Sequence, residues 1–95
     1  MKPDRYDAIG IAEVSFFANA VYILDEMVKS SDVQFLKAEK RLGGRLVTLI
    51  VGGSTAEVTT AIERAKRAGE TMDKNPLKMG ITISNPHPEI LKFVQ

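Results

Sequence analysis

The spacing of apolar residues predicts a strand and then a helix in the first third of the chain. Residues 8–14 (AIGIAEV) have strand character, and Gly10 in the middle of the run indicates the close approach of another group. Ser15 is the expected N-cap of a helix of about four turns that ends near Ser30. Its apolar residues recur at helical spacing and include two phenylalanines, for which core packing is expected: Phe16, Phe17, Ala20, Val21, Leu24, Met27 and Val28.

Two more extended segments follow this helix. Residues 33–41 form the first of them, and a Gly-Gly pair at 43–44 breaks it. Residues 45–51 (RLVTLIV) are rich in β-branched residues and nearly all apolar, which is typical of a central strand. A second Gly-Gly pair, at 52–53, is expected to turn the chain.

The second helix begins at a capping box. Ser54 is the expected N-cap, Glu57 stands at the third helical position, and Gly69 suits the C-cap. Residues 78–83 then alternate, which predicts a last strand. In the second helix, the spacing of apolar residues predicts a buried stripe made of Val58, Ala61, Ile62, Ala65 and Ala68.

The order of elements is β-α-β-β-α-β, which is the ferredoxin-like pattern. It predicts an α+β fold: a four-stranded antiparallel sheet with both helices on one face. Pro86 and Pro88 are expected to end the domain, before a short tail that contains Ile90, Leu91, Phe93 and Val94. The expected boundaries are a disordered N-terminal extension over residues 1–7, the domain over residues 8–91, and a C-terminal tail over residues 92–95.

Composition narrows the classes of function that this fold supports. The 95 residues make one domain, and with no cysteine they exclude disulfides and thiolate chemistry. A net charge of +1 is too balanced to indicate a nucleic-acid partner. No secretory signal is evident at the N-terminus, and no apolar run approaches the ~20 residues of a membrane span. A cytoplasmic protein without a membrane or nucleic-acid partner is therefore expected.

Residues that carry catalytic or metal chemistry are sparse. His87 is the one histidine, and it stands between two prolines without an acidic partner that the sequence forces on it. Glu13, near the end of the first strand, is interpreted as a hydrogen-bond acceptor. The Gly-Gly pair before Ser54 opens a helix and suits an anion, but a plain turn explains it better. Neither an enzymatic activity, a metal nor a cofactor is expected.

Two alternatives share the predicted order of elements. RNA-recognition domains stack bases on aromatic residues of the central strands, whereas residues 45–51 contain no aromatic residue. Four basic residues, Lys37, Lys40, Arg41 and Arg45, keep an RNA- or ligand-binding module open. A small enzyme of the acylphosphatase kind needs a phosphate-binding loop with an arginine and a catalytic asparagine, which cannot be placed in this sequence.

Four fragments, in order, resemble the bacterial microcompartment (BMC) shell domain in its single-domain, hexamer-forming (BMC-H) type. Residues 8–13 (AIGIAE) resemble the opening A-[LI]-G-[ML]-[IV]-E, and residues 25–33 (DEMVKSSDV) resemble D-A-M-V-K-[AS]-A-x-V. Residues 39–53 are similar to the pore loop and third strand of the family. Residues 83–87 (ISNPH) match I-P-R-P-H at three of five positions.

The resemblance implies a structural shell protein that forms cyclic hexamers, which tile into flat sheets around enclosed enzymes. It places Leu42, Gly43 and Gly44 at a central pore for small metabolites, with Arg41 and Arg45 flanking them. It implies that partners are further copies of the chain, other shell proteins and the encapsulated enzymes. The implied location is the microcompartment shell in the cytoplasm.

The resemblance also assigns the edge at which hexamers meet. Lys29 corresponds to the lysine that packs between hexamers, and Asn85 stands where the family has an arginine. The pore loop is one residue longer than the usual I-G-[SG]-G form, and the usual acidic residue after Gly53 is missing. From the asparagine we expect hexamers that tile less readily alone. Sixfold symmetry would turn Arg41 and Arg45 into positive rings that attract anions if they point into the pore; the alternative is that both arginines contact neighbouring subunits or point to solvent.

Overall fold

The computed structural model describes residues 6–94, and every predicted strand and helix is present in them. The predicted extension and tail fall partly on residues 1–5 and 95, which lie outside the described residues. A short 3-10 turn over Leu42–Gly44 joins the second and third strands. The elements are β1 Ala8–Ser15, α1 Phe17–Ser30, β2 Gln34–Arg41, β3 Leu46–Gly53, α2 Thr55–Glu70, β4 Leu77–Ser84 and α3 Pro88–Val94.

The four strands form one antiparallel sheet in the order β2-β3-β1-β4, which confirms the ferredoxin-like prediction. Alternate residues of β1 and β3 point to the face covered by α1 and α2, where they build the main core. This placement explains why residues 45–51 are almost continuously apolar: β3 lies between two other strands and is covered by helices. Core residues that carry this packing include Ala12, Val14, Val47, Leu49, Val51, Ile23, Met27, Val58 and Ala65.

Gly10 is the position where β1 and α2 come closest. A Cβ atom at Gly10 would lie 2.9 Å from Cγ1 of Val58 and 3.1 Å from Cδ1 of Ile62. Side chains at such distances overlap, so only glycine leaves room for the helix. The close approach expected from the sequence is confirmed.

Replacing Gly10 by valine is therefore expected to destabilise the fold by about 1–3 kcal/mol, the usual cost of overpacking a core. Urea unfolding monitored by circular dichroism measures this. Gly10→Ala is the matched comparison, because it adds the Cβ atom alone and is expected to destabilise the fold less than valine does. Equal stability of Gly10→Val and the native chain would contradict the explanation.

The start of α1 differs from the prediction. The N-cap is Phe16 rather than Ser15, and no side chain caps the helix. Phe16 has φ 70° and ψ 136°, and its backbone N–H donates to the carbonyl of Arg45 at 2.9 Å. Phe16 and Phe17 are 56% and 51% exposed, so their expected role in the core is wrong. Helical spacing marks both as apolar but does not show which face of the helix the sheet covers.

The capping prediction for α2 is correct at Ser54 but wrong at the other end of the helix. Ser54 caps the helix as predicted, since its Oγ accepts from the Glu57 N–H at 3.2 Å. The Glu57 carboxylate accepts instead from the Asp32 N–H at 2.7 Å, so it holds the loop after α1. Gly69 is not the C-cap: the helix runs to Glu70, and Gly69 leaves room for the Asn75 side chain.

The opposite face of the sheet carries a small second core that the pattern of apolar residues does not predict. Helix α3 packs Leu91 and Val94 against Ile9 and Ile50 of the central strands. Tyr6 lies inside the predicted disordered extension, yet it is buried and its hydroxyl donates to Oε1 of Gln34 at 3.0 Å. The 52–53 glycine pair, expected to turn the chain, instead ends β3, where Gly52 makes room for the Tyr6 ring.

Candidate pore loop and hexamer edge

The loop between β2 and β3 has a backbone that favours glycine. Leu42, Gly43 and Gly44 have φ of 55°, 67° and 90°, all in the left-handed region. Arg45 closes the turn, because its backbone N–H and its Nε both donate to the Leu42 carbonyl, at 3.3 and 3.1 Å. The loop is therefore a turn closed by hydrogen bonds.

Most of this loop is open to solvent. Arg41, Leu42, Gly43 and Arg45 are exposed, and Leu42 reaches 65% although it is apolar. A Cβ atom added at Gly43 would meet nothing within 4 Å, whereas one at Gly44 would lie 3.9 Å from the Phe17 Cβ. Gly43 thus faces open space, whereas Gly44 lies next to the first residue of α1.

Aromatic and cationic side chains lie beside the loop. The Lys40 Nζ stands 5.0 Å from the centre of the Phe17 ring, within the range of a cation–π contact. The backbone N–H of Phe16 donates a hydrogen bond to the carbonyl of Arg45, which connects the start of α1 to the loop.

Lys29, the predicted edge lysine, is an exposed residue in the last turn of α1. Its Nζ lies 2.7 Å from the Asp25 carboxylate, one helical turn earlier. The hydrogen bond that Lys29 donates to Asp25 and the negative charge of that carboxylate raise the pKa of Lys29 above its usual value. The ion pair with Asp25 therefore favours the charged form of Lys29.

Asn85, the second predicted edge residue, follows β4 and is also exposed. Its φ is 50°, and its backbone N–H donates to the Asp7 carbonyl at 2.7 Å. Asparagine tolerates the left-handed region better than residues with longer side chains. Local backbone geometry thus favours asparagine at this position.

The sheet places the loop and the edge residues at opposite ends. Ala8 pairs with both Gly53 and Ser84, so Asn85 lies at that end of the sheet, and α1 ends there before Gln34 begins β2. Ser15 and Arg41 both pair with Leu46, which puts the loop at the other end. An eight-residue strand spans about 25 Å, and this length separates the two predicted sites.

The other sequence candidates do not converge. His87 uses its Nδ1 to accept from the Glu89 N–H at 3.1 Å, at the start of α3. Glu13 accepts from the Thr48 hydroxyl at 3.5 Å on the face away from α1 and α2. Among residues 6–94 there is no group of three residues that could hold a metal ion. Within the same range no helix is long and apolar enough to cross a membrane.

The surface on which an RNA-recognition domain stacks bases has a different character here. On the face away from α1 and α2, the two central strands carry Ile9, Ile11, Glu13, Thr48 and Ile50, with no aromatic residue among these positions. Helix α3 packs on the same face. The requirement for stacked aromatic residues is therefore unmet on these strands.

Comparison with known proteins gives a consistent result for this fold. A family model described as the BMC domain matches residues 8–86. The microcompartment shell protein PduA of Citrobacter freundii is 31% identical over 90 residues, which cover 95% of this chain and 94% of PduA. PduA of Salmonella typhimurium is also 31% identical over 90 residues, covering 95% and 93%.

Two further matches are more distant or shorter. The carboxysome assembly protein CcmO of Synechococcus elongatus is 40% identical over 63 residues, which are 66% of this chain and 22% of CcmO. A crystal structure of a microcompartments protein from Desulfitobacterium hafniense superposes with a TM-score of 0.78 at 22% identity. That superposition covers 95% of this chain and 47% of the other, and it supports the fold.

Proposed function

Because this chain belongs to the BMC domain family, we propose that it is a non-catalytic shell subunit of a bacterial microcompartment that forms cyclic hexamers around a metabolite pore. The observation that carries the proposal is the family match over residues 8–86, joined to the near full-length similarity to PduA, which is named as a shell protein. The proposed location is the shell, in the cytoplasm.

The geometry of the chain supports a ring with the loop at its axis. The β2–β3 loop and the pair Lys29 and Asn85 occupy opposite ends of one sheet. If the loop lies at the axis of the ring, the strands run outward and the edge residues reach the rim, where neighbouring hexamers meet. The two edge strands, β2 and β4, then flank the subunits next to them within the ring.

The loop suits a narrow passage for small solutes. Six copies converge on one axis, and glycine at positions 43 and 44 keeps side chains out of the opening. Exposed backbone groups there are free to hydrogen-bond a polar solute. Arg41 and Arg45 place positive charge around the loop, which raises the local concentration of anionic metabolites.

The proposed partners follow from a tiled shell. Lys29 and Asn85 contact the neighbouring hexamer, whether it is built from this chain or from another shell protein. Enzymes enclosed by the shell meet one face of the sheet. No step of catalysis is assigned to any residue.

The mass of the protein in solution tests the ring. Light scattering is expected to show a particle of six times the chain mass of 10.4 kDa. Electron microscopy of the overexpressed protein, alone and with other shell proteins, then tests for sheets or tubes. A monomer at all concentrations would overturn the shell proposal and favour a ligand-binding module.

A further inference from the structure

We propose that Phe17 of each subunit inserts into a groove between α2 and β4 of the next copy of this chain; this inference rests on the hexameric ring of the proposed function. The groove has a volume of about 210 Å³ and lies at the β4 edge of the sheet. Leu77, which pairs with the core residue Val14, gives the groove an apolar side chain, and Met79 and Gly80 line it along the edge of β4. Lys66, Lys78 and Glu70 surround these with charge.

The surface that presents Phe17 is an exposed apolar stripe on α1. Phe17, Val21 and Val28 follow the helical repeat along one side, and all three are at least 40% exposed. Both helices pack over the central strand β1, but α1 extends over β3 to the edge strand β2, whereas α2 extends over the opposite edge strand β4. The stripe and the groove therefore belong to opposite flanks of the sheet.

A cyclic ring requires two unlike surfaces that meet at equal distances from the axis. Phe17 begins α1 just after the loop end of β1, and its Cβ lies 3.9 Å from where a Gly44 side chain would begin. Leu77 pairs with Val14, so the groove also lies at the loop end. Both surfaces are formed by helices that cover the same face of the sheet, so they have the same height in the ring.

Lys66 and Lys78 also line the groove, and one pair of opposite charges is available between the two surfaces near the ring of Phe17. Lys40 Nζ stands 5.0 Å from the centre of that ring, and Glu70 is the acidic residue of the groove. Within residues 6–94, neither Lys40 nor Glu70 forms an ion pair. When Phe17 enters the groove of the next copy, Lys40 comes with it and meets Glu70.

The absence of cysteine from the sequence makes a crosslinking test direct. The double variant Phe17→Cys with Lys78→Cys is purified, shown to be a hexamer by light scattering, oxidised, and run on a denaturing gel without reductant. A ladder of crosslinked chains up to six is expected. The matched control pairs Phe17→Cys with Thr60→Cys, an exposed position near the start of α2, and is expected to give single chains.

A charge exchange tests the same contact without touching Phe17. Lys40→Glu and Glu70→Lys are each expected to raise the concentration at which hexamers dissociate, by about fivefold. The double exchange is expected to restore the native value. Hexamers that form normally but give no crosslinked ladder, and whose dissociation concentration is not restored by the double exchange, would overturn this contact. The hexameric ring of the proposed function would then be unaffected. A native chain that is monomeric would overturn the ring itself.

Discussion

Replacing Lys29 by alanine is expected to abolish the association of hexamers into sheets while the hexamers themselves persist. Lys29 is exposed, and its ammonium is directed by Asp25 at 2.7 Å. In the proposed ring Lys29 lies at the rim, where neighbouring hexamers meet. Each contact between hexamers is small, so a few hydrogen bonds decide whether the hexamers associate. A charge-assisted hydrogen bond contributes about 1.5–3 kcal/mol to the free energy of association. Because each hexamer has six edges, the loss is repeated at every contact.

Electron microscopy and sedimentation measure sheet formation, and light scattering checks that hexamers remain. Lys92→Ala is the matched control, since Lys92 is an equally exposed lysine that pairs with Glu89 at 3.4 Å on α3. It is expected to leave sheet formation unchanged. Sheets that form normally from Lys29→Ala would show that this residue has no role at the edge.

The complementary change at the same edge is Asn85→Arg, which is expected to promote sheets. Arginine offers five donors in a rigid fork, while asparagine offers two on a shorter stem. The φ of 50° at Asn85 adds a cost of about 1–2 kcal/mol to the fold, because arginine tolerates the left-handed region less well. The native chain is accordingly expected to tile less readily alone than with mixed partners. Extended sheets of the native chain at low concentration, unchanged by Asn85→Arg, would contradict this account.

Replacing Gly43 by phenylalanine is expected to block the pore with the hexamer intact. Gly43 has open space around its Cβ position, so a large side chain extends away from its own subunit. Six such rings converging on one axis fill a narrow opening. Both positions have a positive φ that strains any other residue, 67° at Gly43 and 90° at Gly44, but only at Gly44 would the side chain also meet Phe17.

Passage of small solutes through assembled shells measures the effect, with light scattering as the check on assembly. Gly43→Ala is the control: it has the same φ of 67° to accommodate but adds one methyl group, so passage is expected to remain close to native. Unchanged passage through Gly43→Phe shells would place the loop away from the pore.

The sequence allowed the elements of the fold to be predicted because local patterns encode them. The Ser54 cap, the stripe from Val58 to Ala68 and the apolar run of β3 each arise from neighbours along the chain. Gly10 signalled a close contact, although its partners Val58 and Ile62 are known only from the structure. The resemblance placed Lys29 and the loop, and their roles remain predictions.

What local pattern could not supply is which surface of an element meets which neighbour. Phe16 and Phe17 have the spacing of core residues, yet the sheet covers the other side of α1 and leaves them exposed. Helix α3 and Tyr6 were missed because their partners, Ile9, Ile50 and Gly52, lie far away in the chain. No rule of spacing links such distant segments.

By itself, the sequence determined the order of the four strands and the first two helices, the positions of the glycines and the absence of thiol chemistry, because these depend on residue type and on near neighbours. Only the tertiary structure decided that the β2–β3 loop lies at the opposite end of the sheet from Lys29 and Asn85. It also decided that Phe17 and the α2–β4 groove stand on opposite flanks. Those positions follow from strand pairing and from helix packing on the sheet, which join segments that are distant in the chain.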